Sequence, residues 1–135
     1  MSNPFLIYIS EADRFDPVLI REFLTSCHGV HGLRERPDES ALYIAHFDFA
    51  GDASFFELKA DLETVVIRRT GVAGICLCYL FQASYPKPLH VIDEAYDFDL
   101  LISDFSSADE LGKAIIAAQQ KAFEEDEADR SSGPN

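Results

Sequence analysis

Three cysteines, Cys27, Cys76 and Cys78, and four histidines, His28, His31, His46 and His90, are the residues best equipped for chemistry in this chain. A zinc site would have to combine Cys27, His28 and His31 with the Cys76-x-Cys78 pair. That spacing does not fit a ribbon or finger, where two ligands sit about two to four residues apart in each half. Cys27 also falls on the apolar face of a helical pattern, and the other two lie in the most apolar segment. Buried free cysteine behaves as a small hydrophobe. A nucleophilic pairing of Cys27 with His46 or His90 needs an electropositive, partly exposed thiol, which an acidic chain does not supply. Serine, histidine and aspartate are plentiful enough for a triad, but there is no Gly-x-Ser-x-Gly elbow. Phosphate loops are missing too, and Gly71 and Gly74 read as a helix entry and a packing contact. The expectation is a protein with no catalytic, metal-ligating or cofactor-binding residues, not an enzyme.

The segment Asp93-Glu94-Ala95-Tyr96-Asp97-Phe98-Asp99 is more suggestive, with four acids interleaved with two aromatic rings. Calcium loops need a longer ligand series with a sharp glycine turn, so cation binding is not expected here. A solvated turn anchored by Tyr96 and Phe98 is one reading. A binding surface is the other, because aromatic anchors ringed by carboxylates suit a basic partner. The candidate partner-binding residues are Asp93, Glu94, Tyr96, Asp97 and Asp99. Arg34, Arg36, Arg68 and Arg69 are the paired basic positions. They read as surface charges offsetting nearby acids, or as a small patch that meets a partner carboxylate.

The formal net charge is −13, and without the acidic run 124–130 the remainder still carries −9. The acidity therefore belongs to the body of the chain. Such a field repels phosphate backbones and anionic lipid and steers basic partners inward, so neither nucleic acid nor a membrane is an expected partner. An odd number of cysteines, with Cys76 and Cys78 too close in sequence to bridge easily, points to a reducing compartment. The first nine residues have no basic region like that of a signal peptide, and no apolar run reaches membrane-spanning length. The cytoplasm is the expected location.

The elements that must position these residues follow from periodicity. Phe5 to Ile9 reads as a strand. Asp16-Pro17 opens a helix, with Asp16 as cap and Pro17 at the first helical position. Ile20, Phe23, Leu24 and Cys27 share its apolar face, and Gly29 is placed to end it in the left-handed conformation. An antiparallel meander follows: a weak strand at Val30 to Arg34, a turn at Arg36 to Glu39, and a strand from Leu42 whose Tyr43, Ala45, Phe47 and Phe49 side faces inward. Gly51-Asp52 turns the chain into Ser54 to Lys59, and Glu63 to Arg69 comes next. Val72 to Ser84 could be a buried strand or a helix; its length and small residues favour a central helix, ended by Pro86 and Pro88. Leu89 to Ile92 and Asp97 to Ile102 read as two further strands. Ser107 and Glu110 have capping-box spacing before a helix with Ala108, Leu111, Ile115 and Ala118 on one stripe. The fold class is α+β: an antiparallel sheet of about five to seven strands with three helices packed on it. Residues 1–123 form a single domain in this reading, and 124–135 an acidic, disordered tail.

The stretch Val72 to Phe123 resembles small immunity proteins of bacterial polymorphic toxin systems, of the contact-dependent and type VI secreted kinds. The residues that carry the resemblance are the apolar helix ending at Tyr85-Pro86, Pro88-Leu89, Asp93-Glu94-x-Tyr96-x-Phe98, and Ser106-Ser107 with Glu110-Leu111. It implies a cytosolic protein that binds and neutralises a cognate toxin domain, and it carries over no catalytic residues. An acidic, aromatic-bearing surface would suit a toxin with a basic cleft. The competing expectation is a secretion chaperone or adaptor of similar size, dimeric and binding an extended segment.

Overall fold

The computed structural model describes residues 3–10 and 13–131, with side chains up to Glu125. The chain runs β1 (Phe5–Tyr8), α1 (Pro17–Ser26), β2 (Val30–Glu35), β3 (Ala41–Phe49), β4 (Asp52–Lys59), β5 (Val65–Ile67), α2 (Val72–Ser84), β6 (His90–Asp93), β7 (Asp99–Leu101), a short 3-10 turn (Ile102–Asp104) and α3 (Ala108–Ser131). The strands form one seven-stranded sheet in the order β2-β3-β4-β5-β1-β6-β7. Every neighbouring pair is antiparallel. The α+β class is as expected, with three helices and a strand count at the upper end of the range.

Period-two alternation sorts the side chains between the two faces. The register aligns Ala45 with Phe56, Phe56 with Ile67, Ile67 with Phe5, and Ile7 with Val91. These residues are fully or almost fully buried. Phe81 of α2 lies at the centre of this inner face, with its ring against Phe15, Phe23, Phe56 and Tyr85 at centroid distances of 5.1–5.8 Å. The phenylalanine-rich composition thus builds a core of interlocking rings. Helix α3 joins the core through Leu111 and Ile115.

Local signals explain most element ends. Asp16 accepts a hydrogen bond from the Val18 N–H at 2.9 Å, and Pro17 occupies the first turn of α1. Helix α2 has no side-chain cap of its own at Gly71; Asp52, at the start of β4, accepts from the Ala73 N–H at 3.0 Å instead. Ser107 Oγ accepts from the Glu110 N–H at 3.1 Å. The Glu110 carboxylate reaches back to the N–H and hydroxyl of Ser106, one residue before the expected partner.

Four expectations need adjusting. Helix α1 stops at Ser26 with Cys27 extended, and Gly29 takes its left-handed φ of 95° in the turn that enters β2. There a Cβ would approach the Asp48 carbonyl to 2.8 Å. Phe49, grouped with the inward side of β3, lines an open groove beside α2 and α3 and is 45% exposed. The last strand is only Asp99–Leu101, because the chain tightens into the 3-10 turn at Ile102. The backbone of α3 continues to Ser131, where a disordered tail was expected from 124. Nothing in Glu124 to Ser131 is a helix breaker, and alanine, glutamate and arginine favour helix. Residues 132–135 of that tail lie outside the described residues.

Candidate functional site

The acidic aromatic segment forms the connection between β6 and β7. Asp93 ends β6 on the inner face and is 2% exposed. Its carboxylate accepts from the Asp97 N–H at 2.8 Å, and its carbonyl accepts from the Tyr96 N–H at 3.1 Å. Phe98 turns inward and meets the Phe5 ring edge-to-face at 5.8 Å. Between these two interior anchors the loop tip projects outward. Tyr96 is 73% exposed, the highest value among the large hydrophobic residues in the described part. Its backbone sits at a φ of 56°, a left-handed conformation that costs a residue with a Cβ about 1 kcal/mol or more. Glu94 and Asp97 are exposed on either side of it.

The five expected partner-binding residues are therefore divided. Glu94, Tyr96 and Asp97 form the exposed tip. Asp93 is withdrawn into the fold, where it holds the loop closed and offers no carboxylate to a partner. Asp99 lies on β7, paired with Ile92 and so on the outer face of the sheet. Its Oδ2 accepts from the Tyr8 hydroxyl at 2.7 Å, and its Oδ1 lies 2.9 Å from His90 Nδ1. The Tyr8 and His90 rings stack at 4.6 Å. Partial burial works to raise the Asp99 pKa, but hydrogen bonds from Tyr8 and His90 outweigh it and hold the carboxyl below its usual range.

Tyr8 and His90 thus extend the acidic tip onto a sheet face that the helices leave open. Neither was singled out for this role in the sequence. The signal that finds them is the cross-strand register, which sets Tyr8 opposite His90. The same outer face carries Glu57, only 6% exposed, clamped by Arg68 through Nε and Nη2 at 3.2 and 3.0 Å and by Lys59. Arg69 stands over the Phe55 ring at 5.4 Å. Arg68 and Arg69 therefore answer charges and rings within the sheet. No family model, curated protein or solved structure matches the chain.

The cysteines lie elsewhere. Cys76 and Cys78 are buried in α2, on the side of the sheet away from His90, and burial pushes both thiols up. Cys27, half-buried after α1, is raised by burial and by Cys76. A thiol shifted in that direction is a poor nucleophile at neutral pH. Among the described residues, no three His, Cys, Asp or Glu side chains gather where they could hold a metal ion. The His90–Asp99 pair has the hydrogen bond that orients an imidazole in a catalytic triad, but all three thiols belong to the helical layer. What the surface offers is shape and charge: a braced, exposed ring between carboxylates, next to a polar aromatic patch. No helix of the described residues is long and apolar enough to cross a membrane.

Proposed function

We propose that this chain is a cytoplasmic binding protein of the immunity type, which masks a basic cleft of a cognate toxin domain with the β6–β7 loop and the adjoining Tyr8, His90 and Asp99. The observation that carries the reading is Tyr96. An aromatic side chain is held 73% exposed, at a left-handed backbone angle, by two interior anchors. Tyrosine supplies a large contact area at small entropic cost, and rings of this kind are enriched among the residues that dominate interfaces. The flanking carboxylates and the net charge of −13 add long-range attraction for a cationic surface.

The test is co-expression with a toxin domain taken from a neighbouring reading frame, scored as growth. Wild type should protect, and Tyr96→Ala combined with Glu94→Lys and Asp97→Lys should not. Binding of the purified pair should weaken as salt rises, because the steering charges are screened within about 8–10 Å. A salt-independent affinity would remove the electrostatic half of the reading. Full protection by the triple variant would remove the loop from the interface. A secretion chaperone or adaptor is the second reading, favoured by an open apolar groove between α2 and α3. It expects an extended apolar segment as ligand.

A further inference from the structure

The same groove supports an inference that rests on none of the β6–β7 loop residues. It holds about 380 Å3 and is walled by Phe49, Val72, Ile75, Gly112 and Ile116. Val72 is 60% exposed and Ile116 50%. Two turns beyond Ile116 on α3, Phe123 stands 62% exposed. Gly112, Ile116, Gln119 and Phe123 recur at helical spacing, so they form a second stripe on α3. It is rotated away from Leu111 and Ile115, which face the core. Soluble chains seldom leave an apolar cavity and an apolar ring open on one continuous face.

We propose that a second copy of this chain covers the stripe, with the two α3 helices antiparallel about a two-fold axis near residues 118 and 119. Each Phe123 then lies level with residues 113 and 114 of the other copy, at the mouth of its groove. Ring and groove are on the same helix face of the same chain, which is the self-complementarity that an isologous contact requires. Charge agrees with that register. Lys113, with its side chain 78% exposed, and Glu124 flank the stripe on the same side. Antiparallel helices bring like flanks together, so the axis sets each Lys113 opposite the Glu124 of the other copy. Lys113 also pairs with its own Asp109 at 3.1 Å, which keeps its ammonium beside the groove. Two bodies of net charge −13 repel at long range, so the contact tightens with added salt, opposite to the binding of a cationic partner.

Sedimentation equilibrium of the full chain tests this. The expected result is a dimer whose dissociation constant falls as salt rises. Phe123→Asp should raise that constant by about 100-fold or more, since symmetry removes two buried rings at once. Circular dichroism and the urea midpoint, both taken at a concentration well below the dissociation constant so that wild type is also monomeric, should stay unchanged, because the ring is exposed in the single chain. Lys113→Glu and Glu124→Lys should each weaken the dimer, and the double swap should restore it. A chain that remains monomeric at about 0.5 mM in high salt overturns the proposal and gives the groove to another protein. So does a dimer indifferent to Phe123→Asp, or one that the double swap fails to rescue.

Discussion

If Tyr96 is kept for what its ring touches outside the molecule, the fold should tolerate its loss and prefer glycine in its place. Two substitutions separate the ring from the backbone. Tyr96→Ala removes the ring and keeps a Cβ at a φ of 56°; Tyr96→Gly removes both. At an ordinary position glycine is the worse residue by about 0.5–1 kcal/mol, because its unfolded chain is freer. Here that loss is set against a left-handed penalty of about 1–2 kcal/mol which only the alanine bears. The glycine variant should therefore be the more stable by about 0.5–1 kcal/mol, or about 3 °C in Tm for a domain of this size. Urea unfolding of both variants, with a common slope, measures the difference. Glu94, in the same loop at an ordinary backbone angle, is the control: Glu94→Gly should be less stable than Glu94→Ala. If Tyr96→Ala proves equal to or more stable than Tyr96→Gly, the loop is not under the backbone strain described. If either loses several kcal/mol, the ring belongs to the fold and not to an interface.

Phe81→Ala should cost about 3–5 kcal/mol in chemical denaturation, since a ring with no exposure leaves a cavity among Phe15, Phe23, Phe56 and Tyr85. Gly74→Ala should destabilise the protein, by about 1–3 kcal/mol, although alanine is the better helix former. The added methyl would stand 2.0 Å from the Arg69 carbonyl oxygen, which also accepts from Ser54 Oγ, so thermal melting should move down and not up. Glu57→Gln should lower stability at neutral pH by about 1–2 kcal/mol, short of the full cost of breaking a buried pair, because Arg68 and Lys59 can still reach water. Burial pushes the Glu57 pKa up, yet hydrogen bonds and charge from Lys59 and Arg68 prevail and lower it. Its contribution is therefore complete above the unfolded carboxyl pKa and disappears as pH falls through the folded value. Wild type and variant should converge in acid, and a gap that stays constant from neutral pH to acid would refute the ion-pair account.

Helix starts, together with the stop of α2, were the most legible part of the sequence. Asp16-Pro17, the Pro86 and Pro88 stop and the Ser107–Glu110 spacing are local chemistry, and the bounds of α2 match the expected Val72 to Ser84. Sheet order was not legible, because pairing is long-range and no residue in Phe5 to Tyr8 announces that its neighbours are β5 and β6. The candidate site shares that limit. Composition marked Asp93 to Asp99 as unusual. Burial of Asp93 and Phe98 follows from the strand register at each end, and the display of Tyr96 from a backbone angle in the turn. Tyr8 joins Asp99 across 91 positions, a distance no local pattern reports. The helical continuation to Ser131 was obscured by charge density, which marks solvation and does not forbid a helix.

The place of β1 between β5 and β6 bears on how the molecule is made. Emerging from the ribosome before both of its neighbours, this strand stays unpaired until Val65–Ile67 and then His90–Asp93 have been synthesised. At about 5–20 residues per second, it waits several seconds in an incomplete chain. Removing it would divide the sheet into separate ladders of four and two strands and bare two edges at once. Nascent chains arrested before His90 should accordingly be the species most prone to coaggregate.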